Sequence, residues 1–217
     1  LGMQIVEDSA MYLDHFGLQC PPFEETTNPR FCFEHAALKC TLDAVEAVVA
    51  DRGGMVLVEA EPGSGRSLCA QVLTDRLPAR ALLLAATPDE SSVISRIKLL
   101  CRGASPDDTD CDRAANEESS PATEIVAGLR DTGVSRWAWI IDDAERLDLG
   151  ELQLLAEVAA ASQAETFALT VVLIAAPAIR ARLRLPELQS LTKCLVRVPK
   201  LERMQPAETT GYLATRL

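Results

Sequence analysis

Met55-Val56-Leu57-Val58-Glu59-Ala60-Glu61-Pro62-Gly63-Ser64-Gly65-Arg66-Ser67-Leu68 is the stretch on which the reading of this chain turns. Met55 to Glu59 is a short apolar run rich in Val, Pro62-Gly63-Ser64-Gly65 interrupts it, and a helical pattern follows through Leu77. Strand, loop and helix in that order form the frame in which a backbone can curl and aim its N–H groups at a phosphate. Such a loop needs glycines for the curl, a Lys to reach the β- and γ-phosphates, and a Ser or Thr for magnesium. Measured against Gly-x-x-x-x-Gly-Lys-Ser/Thr, Ala60 to Ser67 keep the second glycine, Gly65, and the hydroxyl, Ser67. Ala60 replaces the first glycine and Arg66 the lysine. A glycine-rich turn that binds nothing fits the loop as well, so both readings stay open on this stretch alone.

The flanking sequence supplies the context. From Glu34 to Asp51 the apolar positions Leu38, Leu42, Val45 and Val49 mark one face of a helix, which Gly53 and Gly54 end. Ala81 to Ala86 reads as a strand buried on both faces of a parallel sheet. Thr87-Pro88-Asp89-Glu90 reads as a helix start, with the helix ending near Cys101. Trp137 to Ile141 is a third strand, Leu149 to Ala161 a helix, and Thr170 to Ala175 a fourth strand closed by Pro177. Ala178 to Leu185 reads as a helix with a basic side, and Val196 to Val198 as a short fifth strand. Strands alternating with helices predict an α/β fold, a three-layer parallel sheet with right-handed crossovers and ligands at the carboxyl ends of the strands.

Residues 103–122 are polar, acidic and without periodicity, and read as a mobile surface insert. Asp108, Asp110 and Asp112 alternate as in a calcium loop, but Arg113 stands where the loop glycine belongs and no Glu closes the set. Solvated charge is the preferred reading.

Composition narrows the function classes. At 217 residues, with 48% hydrophobic and only 4% aromatic, the chain can bury a large α/β core. Its seven cysteines, Cys20, Cys32, Cys40, Cys69, Cys101, Cys111 and Cys194, include no Cys-x-x-Cys pair. The expectation is buried reduced thiols in a cytoplasmic protein rather than a zinc site or a disulfide framework. No apolar run reaches the roughly 18 residues of a membrane span, and the first residues lack the basic-then-apolar layout of a signal peptide, so no membrane contact is expected within the chain. A formal charge of −11 opposes extended contact with nucleic acid.

A second feature strengthens the phosphate-binding reading. Ile140-Ile141-Asp142-Asp143 is an apolar strand ending in two acids, about 75 residues after the loop. In nucleotide hydrolases with this loop the first acid holds magnesium and the second, usually Glu, orients the attacking water. A helix cap is the plainer reading of such a pair, and the spacing favours the functional one.

These residues resemble the AAA+ ATPases of the general secretion pathway protein A type, relatives of transposition helper ATPases. Met11-Tyr12-Leu13-Asp14-His15-Phe16-Gly17-Leu18, Pro22-Phe23 and Asn28-Pro29-Arg30-Phe31 are similar to the family's opening signature. Ile141-Asp142-Asp143-Ala144-Glu145-Arg146-Leu147 resembles its Ile-Asp-Glu-Ala-Gln-x-Leu segment, and Val172-Leu173-Ile174-Ala175-Ala176-Pro177 its Leu-Val-Gly-Gln-Pro strand. Pro186-Glu187-Leu188 and Tyr212-Leu213-Ala214-Thr215-Arg216-Leu217 match the approach to a small helical lid. The likeness runs from Met11 to Leu217. It implies a P-loop AAA+ core over 11–200, the start of the lid over 201–217, and an extension or cloning remnant over 1–10. The family often continues into a membrane span and an extracytoplasmic domain.

The resemblance also implies ATP or ADP with Mg2+ cradled by Ala60, Glu61, Pro62, Gly63, Ser64, Gly65, Arg66, Ser67 and Leu68, with Asn28 and Pro29 beside it. Ser67 and Asp142 are the expected magnesium holders and Asp143 the weakened catalytic acid. The departures fall in the site, where the family has Lys at Arg66, Gly at Ala60, Glu at Asp143, a sensor Gln at Ala176 and an Arg acting across subunits near Cys194. An arginine acting in trans contributes about three to five orders of magnitude in GTPases. The expectation is weak nucleotide binding, little or no hydrolysis, and a scaffold or regulatory role among protein subunits, either copies of the chain or an intact AAA+ relative. The alternatives are a working ATPase of the secretion type and a transposition-type DNA helper, the last supported only by the cluster Arg180, Arg182 and Arg184. With alternate spacing on a helix, these arginines read first as a solvated or subunit-facing surface. Tight DNA binding is not expected.

Overall fold

The computed structural model describes residues 13, 15–17, 28–86, 92–101 and 120–216. Six parallel strands carry the fold: β1 (Gly53–Ala60), β2 (Arg80–Ala85), β3 (Arg136–Asp142), β4 (Ala168–Ala175), β5 (Leu195–Arg197) and β6 (Lys200–Leu201). The order across the sheet is β2-β3-β4-β1-β5, with β6 also paired to β1. The helices are α1 (Ala36–Ala50), α2 (Arg66–Arg76), α3 (Val93–Cys101), α4 (Pro121–Asp131), α5 (Leu149–Ser162), α6 (Ile179–Leu183), α7 (Gln189–Cys194) and α8 (Thr209–Arg216).

The period-2 alternation of strand side chains sorts the apolar residues into two cores. Met55, Leu57, Trp139, Ile141, Val171 and Leu173 face one side of the sheet and pack with Ile97 of α3, Ile125 of α4 and Leu152 of α5. Val56, Val58, Ala138, Ile140, Val172 and Ile174 face the other and pack with Leu42 of α1 and Leu73 of α2. This is the expected three-layer arrangement. Because β1, β3 and β4 are buried along almost their whole length, they read as continuous apolar runs.

Several expectations need correction. Ala81 to Ala86 does form a strand, but among the described residues β2 lies at the sheet edge, paired only with β3, and of its own residues Leu84 alone is buried. Gly53 and Gly54 open β1 rather than closing the helix, with φ of 81° and 130°. The last part of the expected insert is ordered helix: Ser120 precedes α4, Pro121 takes its first position, and Ala122 is buried. α4 was not anticipated: its stripe, Ala122, Ile125, Val126 and Leu129, has helical spacing but begins inside a polar stretch. Thr87, Pro88, Asp89 and Glu90, the rest of the insert and the Asp108-Asp110-Asp112 alternation lie outside the described residues. The basic helix is shorter than expected, ending at Leu183, and β6 was not anticipated.

Four cysteines can be placed. Cys69 is buried, and burial pushes its thiol up to about 12, whereas Cys40 is exposed, so the buried-thiol expectation fails there. Cys32 and Cys194 are half-buried. Among the described residues no helix is long and apolar enough to cross a membrane.

Candidate functional site

The loop after β1 turns on Gly63 and Gly65, whose φ values of 78° and 85° lie in the left-handed region that a Cβ disfavours. The Ser64 hydroxyl donates to the Glu61 carbonyl at 2.7 Å, and the Ser64 N–H donates to the same oxygen at 3.1 Å. Gly65 is the N-cap of α2 and makes no side-chain cap, so the first amides of this 11-residue helix point into the loop. A helix start of this kind favours an anion through its free N–H groups and its dipole. Ala60 is the last, buried residue of β1 rather than part of the turn. Glu61, Pro62 and Gly63 are exposed, and Leu68 packs partly against the core.

β3 delivers the acids beside α2. Asp142, 8% exposed, accepts the Ser67 hydroxyl on Oδ2 at 2.7 Å and the Asp143 N–H on Oδ1 at 2.9 Å. The two residues read as magnesium holders therefore meet directly, although they are 75 positions apart. Asp143 is the one non-glycine with positive φ among the described residues (φ 54°, ψ 36°), a conformation that Asp tolerates better than most. Strained backbone of this kind clusters at functional sites.

Arg66 is engaged at both ends of its fork. Its Nη2 lies 3.1 Å from Asp143 Oδ1 and its Nη1 donates to Glu145 Oε1 at 2.7 Å, with side-chain exposures of 18%, 27% and 22% for the three residues. Burial opposes the Arg66 charge, but the Glu145 hydrogen bond and the nearby carboxylates outweigh it and hold its pKa above the ordinary value. For Glu145 burial alone would raise the pKa. The Arg66 hydrogen bond, backbone N–H donors including that of Ala176, and the Arg66 charge together lower it.

Glu145 had no role assigned from sequence. It sits on a single 3-10 turn (Ala144–Arg146) just past the acid pair, where a third acid on a turn looks like solvated charge. Its second oxygen, Oε2, accepts the Ala176 N–H at 3.1 Å, so the position expected to carry a sensor side chain contributes a backbone amide instead. Its carbonyl accepts Arg182 Nη1 at 2.6 Å.

The arginine cluster, read from its spacing as a solvated or subunit-facing surface, is partly engaged within the fold. Arg182 turns inward to Glu145, and Arg180 pairs with the buried Glu59 at the end of β1. Of the three, only Arg184 makes no such contact among the described residues. Cys194 ends α7 and packs against the core, its Sγ 3.9 Å from the Ala156 carbonyl.

Asn28 caps the 3-10 turn Pro29–Phe31 through Oδ1, which accepts the Arg30 N–H at 3.0 Å, and this turn packs against α2. The C-terminal helices fold back onto the same segment. Glu208 Oε1 accepts the Ala36 N–H at 2.9 Å, capping α1 from a distance, and Arg216 stacks over Phe31 at 5.1 Å. Gly211 lies so close to the Phe33 ring that a Cβ there would stand 2.7 Å from it. Arg203, in the connection to these helices, reaches the loop through Glu61 Oε2 at 3.2 Å and the Pro62 carbonyl at 3.3 Å. A cleft of about 490 Å³ lined by Glu59, Glu61, Arg180 and Arg203 opens beside it.

Comparison with known proteins agrees with this geometry. The chain is 26% identical over 218 residues to General secretion pathway protein A of Aeromonas hydrophila, covering 95% of this chain and 38% of that protein. It therefore spans well under half the length of that relative. Among solved structures it resembles Cdc6p from Pyrobaculum aerophilum (TM-score 0.60, 14% identity, 86% of this chain and 52% of that one). It also resembles the Aeropyrum pernix ORC1 protein in complex with DNA (TM-score 0.62, 16% identity, 90% and 52%). At these identities the structures show a shared fold. The model of the AAA domain family matches residues 49–183, more than half of the chain. That match takes in β1, the loop, the acid pair and β4, so the chain belongs to the AAA domain family.

Proposed function

We propose that this AAA domain binds ATP or ADP with Mg2+ weakly, hydrolyses it slowly or not at all, and serves as a scaffold or regulatory subunit in a protein assembly. The observation that carries the reading is the double engagement of Arg66 by Asp143 and Glu145. The loop cation is neutralised by the acid that would otherwise orient water. The residues present fit a magnesium nucleotide in chemical type: the amides from Gly63 to Leu68 suit phosphate oxygens, and Ser67 with Asp142 suits a hard cation. Magnesium, when bound, would offset phosphate charge. Asn28 and Pro29, against α2 and near the C-terminal helices, are assigned to the edge of the same site.

Slow turnover is supported by the chemistry of three positions. Asp143 is one methylene shorter than Glu and is drawn towards Arg66, Ala176 has no side-chain hydrogen bond to offer, and Cys194 cannot replace an arginine. The intact Ser67–Asp142 pair favours the second reading, a working ATPase whose arginine comes from a neighbouring subunit. Partners are assigned as copies of this chain or an intact AAA+ relative, in the cytoplasm, with a secretion assembly suggested by the Aeromonas relative. Tight DNA binding is disfavoured by the net charge of −11 and by the internal contacts of Arg180 and Arg182.

Titration with a fluorescent ATP analogue, with and without Mg2+, and phosphate release measured on the same sample test this reading. Weak, magnesium-dependent binding and background release are expected. Robust phosphate release by the unaltered protein would overturn the scaffold role in favour of the ATPase.

A further inference from the structure

We infer that Glu145 is a positioning residue of the nucleotide site: its carboxylate holds the Arg66 guanidinium away from the phosphate cradle and is displaced when a phosphate arrives. The inference rests on the nucleotide-binding reading and adds a regulator to it. Arg66 opens α2 directly after the loop, where a cation would ordinarily reach the phosphates. A guanidinium fork binds carboxylate and phosphate in the same planar, two-pronged way, so the two compete for one surface. In this structure both prongs are taken, Nη1 by Glu145 at 2.7 Å and Nη2 by Asp143 at 3.1 Å. A lysine, with one compact ammonium, would not present two such prongs to two carboxylates.

Glu145 also joins three segments. Oε1 binds the loop helix, Oε2 binds the Ala176 N–H at the end of β4, and its carbonyl binds Arg182 of α6. When Arg66 turns to a phosphate, Glu145 loses the partner that orients it. The restraint on the 176–182 segment then weakens, so occupancy of the loop is transmitted to the surface carrying Arg180 and Arg184. Affinity is reduced in proportion to the fraction of molecules whose Arg66 is free, so the fewer these are, the weaker the binding.

The test uses the full chain with Mg2+ and a fluorescent ADP analogue. Glu145→Gln keeps the shape and an acceptor for Ala176 but removes the charge that competes for Arg66. It should tighten binding about two- to fivefold, the change expected from releasing one ion pair of this exposure while Asp143 still holds Arg66. In an Arg66→Ala background the same change should have no effect. Amide exchange over residues 176–183 should rise with nucleotide in the unaltered protein and stay flat in Arg66→Ala. Unchanged or weaker binding in Glu145→Gln, or equal tightening without Arg66, overturns the inference. An Arg66/Glu145 double-mutant cycle in nucleotide-free unfolding separates the two levels of the argument. Absence of coupling there overturns the contact itself. Coupling with no analogue bound by any variant overturns the nucleotide-site reading and the competition with it.

Discussion

Replacing Arg66 with Lys should tighten nucleotide binding while lowering the stability of the empty protein. The guanidinium contacts Asp143 at 3.1 Å and Glu145 at 2.7 Å, with all three side chains between 18% and 27% exposed. Charge pairs at this level of exposure contribute about 0.5–1 kcal/mol each. A lysine ammonium can keep one of these contacts, so the loss is about 0.5–1 kcal/mol, or about 1–4 °C in Tm for a domain of this size. The same energy no longer has to be overcome when phosphate recruits the cation. It corresponds to about two- to fivefold tighter binding of magnesium nucleotide. Differential scanning fluorimetry of the empty protein and fluorescence anisotropy of a labelled ATP analogue would read the two effects on one preparation. Weaker binding by Arg66→Lys, or tighter binding with unchanged Tm, would refute the link between the ion pairs and affinity.

Glu145 titrates below its ordinary carboxylate value, so its contribution to stability is complete above pH about 4.5 and is lost as pH falls through the lowered folded value. Acid unfolding followed by circular dichroism should therefore show a shallower loss of stability below that pH in Glu145→Gln than in the unaltered protein. The Cys69 thiol, buried and pushed up to about 12, should resist a thiol reagent at pH 8 until denaturant is added, whereas Cys40 reacts at once; peptide mass mapping distinguishes them. Gly211→Ala sets a Cβ 2.7 Å from the Phe33 ring and should loosen the C-terminal helices, raising amide exchange over residues 209–216. Restoring one catalytic position alone should do little for hydrolysis, because such parts act as a unit. Combining Asp143→Glu, Ala176→Gln, Cys194→Arg and Arg66→Lys is the change expected to raise phosphate release above background.

What could be read from the chain before folding is whatever short-range chemistry encodes. Apolar runs such as Trp137 to Ile141 announce strands buried on both faces, the Leu38-Leu42-Val45-Val49 stripe announces a helix, and glycines at 63 and 65 mark the loop because only they take its left-handed turns cheaply. The residue types at Ser67 and Asp142 likewise marked two positions, the proposed magnesium holders, that the fold brings to 2.7 Å. Long-range placement lay beyond the sequence. Nothing local distinguishes the edge strand β2 from the central β4, since both are apolar and only the pairing order sets their exposure. Glu145 is the sharpest case: an acid on a 3-10 turn carries no local sign of its partners. Its meeting with Arg66, 79 positions earlier, with the Ala176 amide and with Arg182 depends on β1, β3 and β4 lying side by side in the sheet. Charges separated by that much chain meet only after burial of the two cores has set the strand order, and that burial is a property of the whole fold.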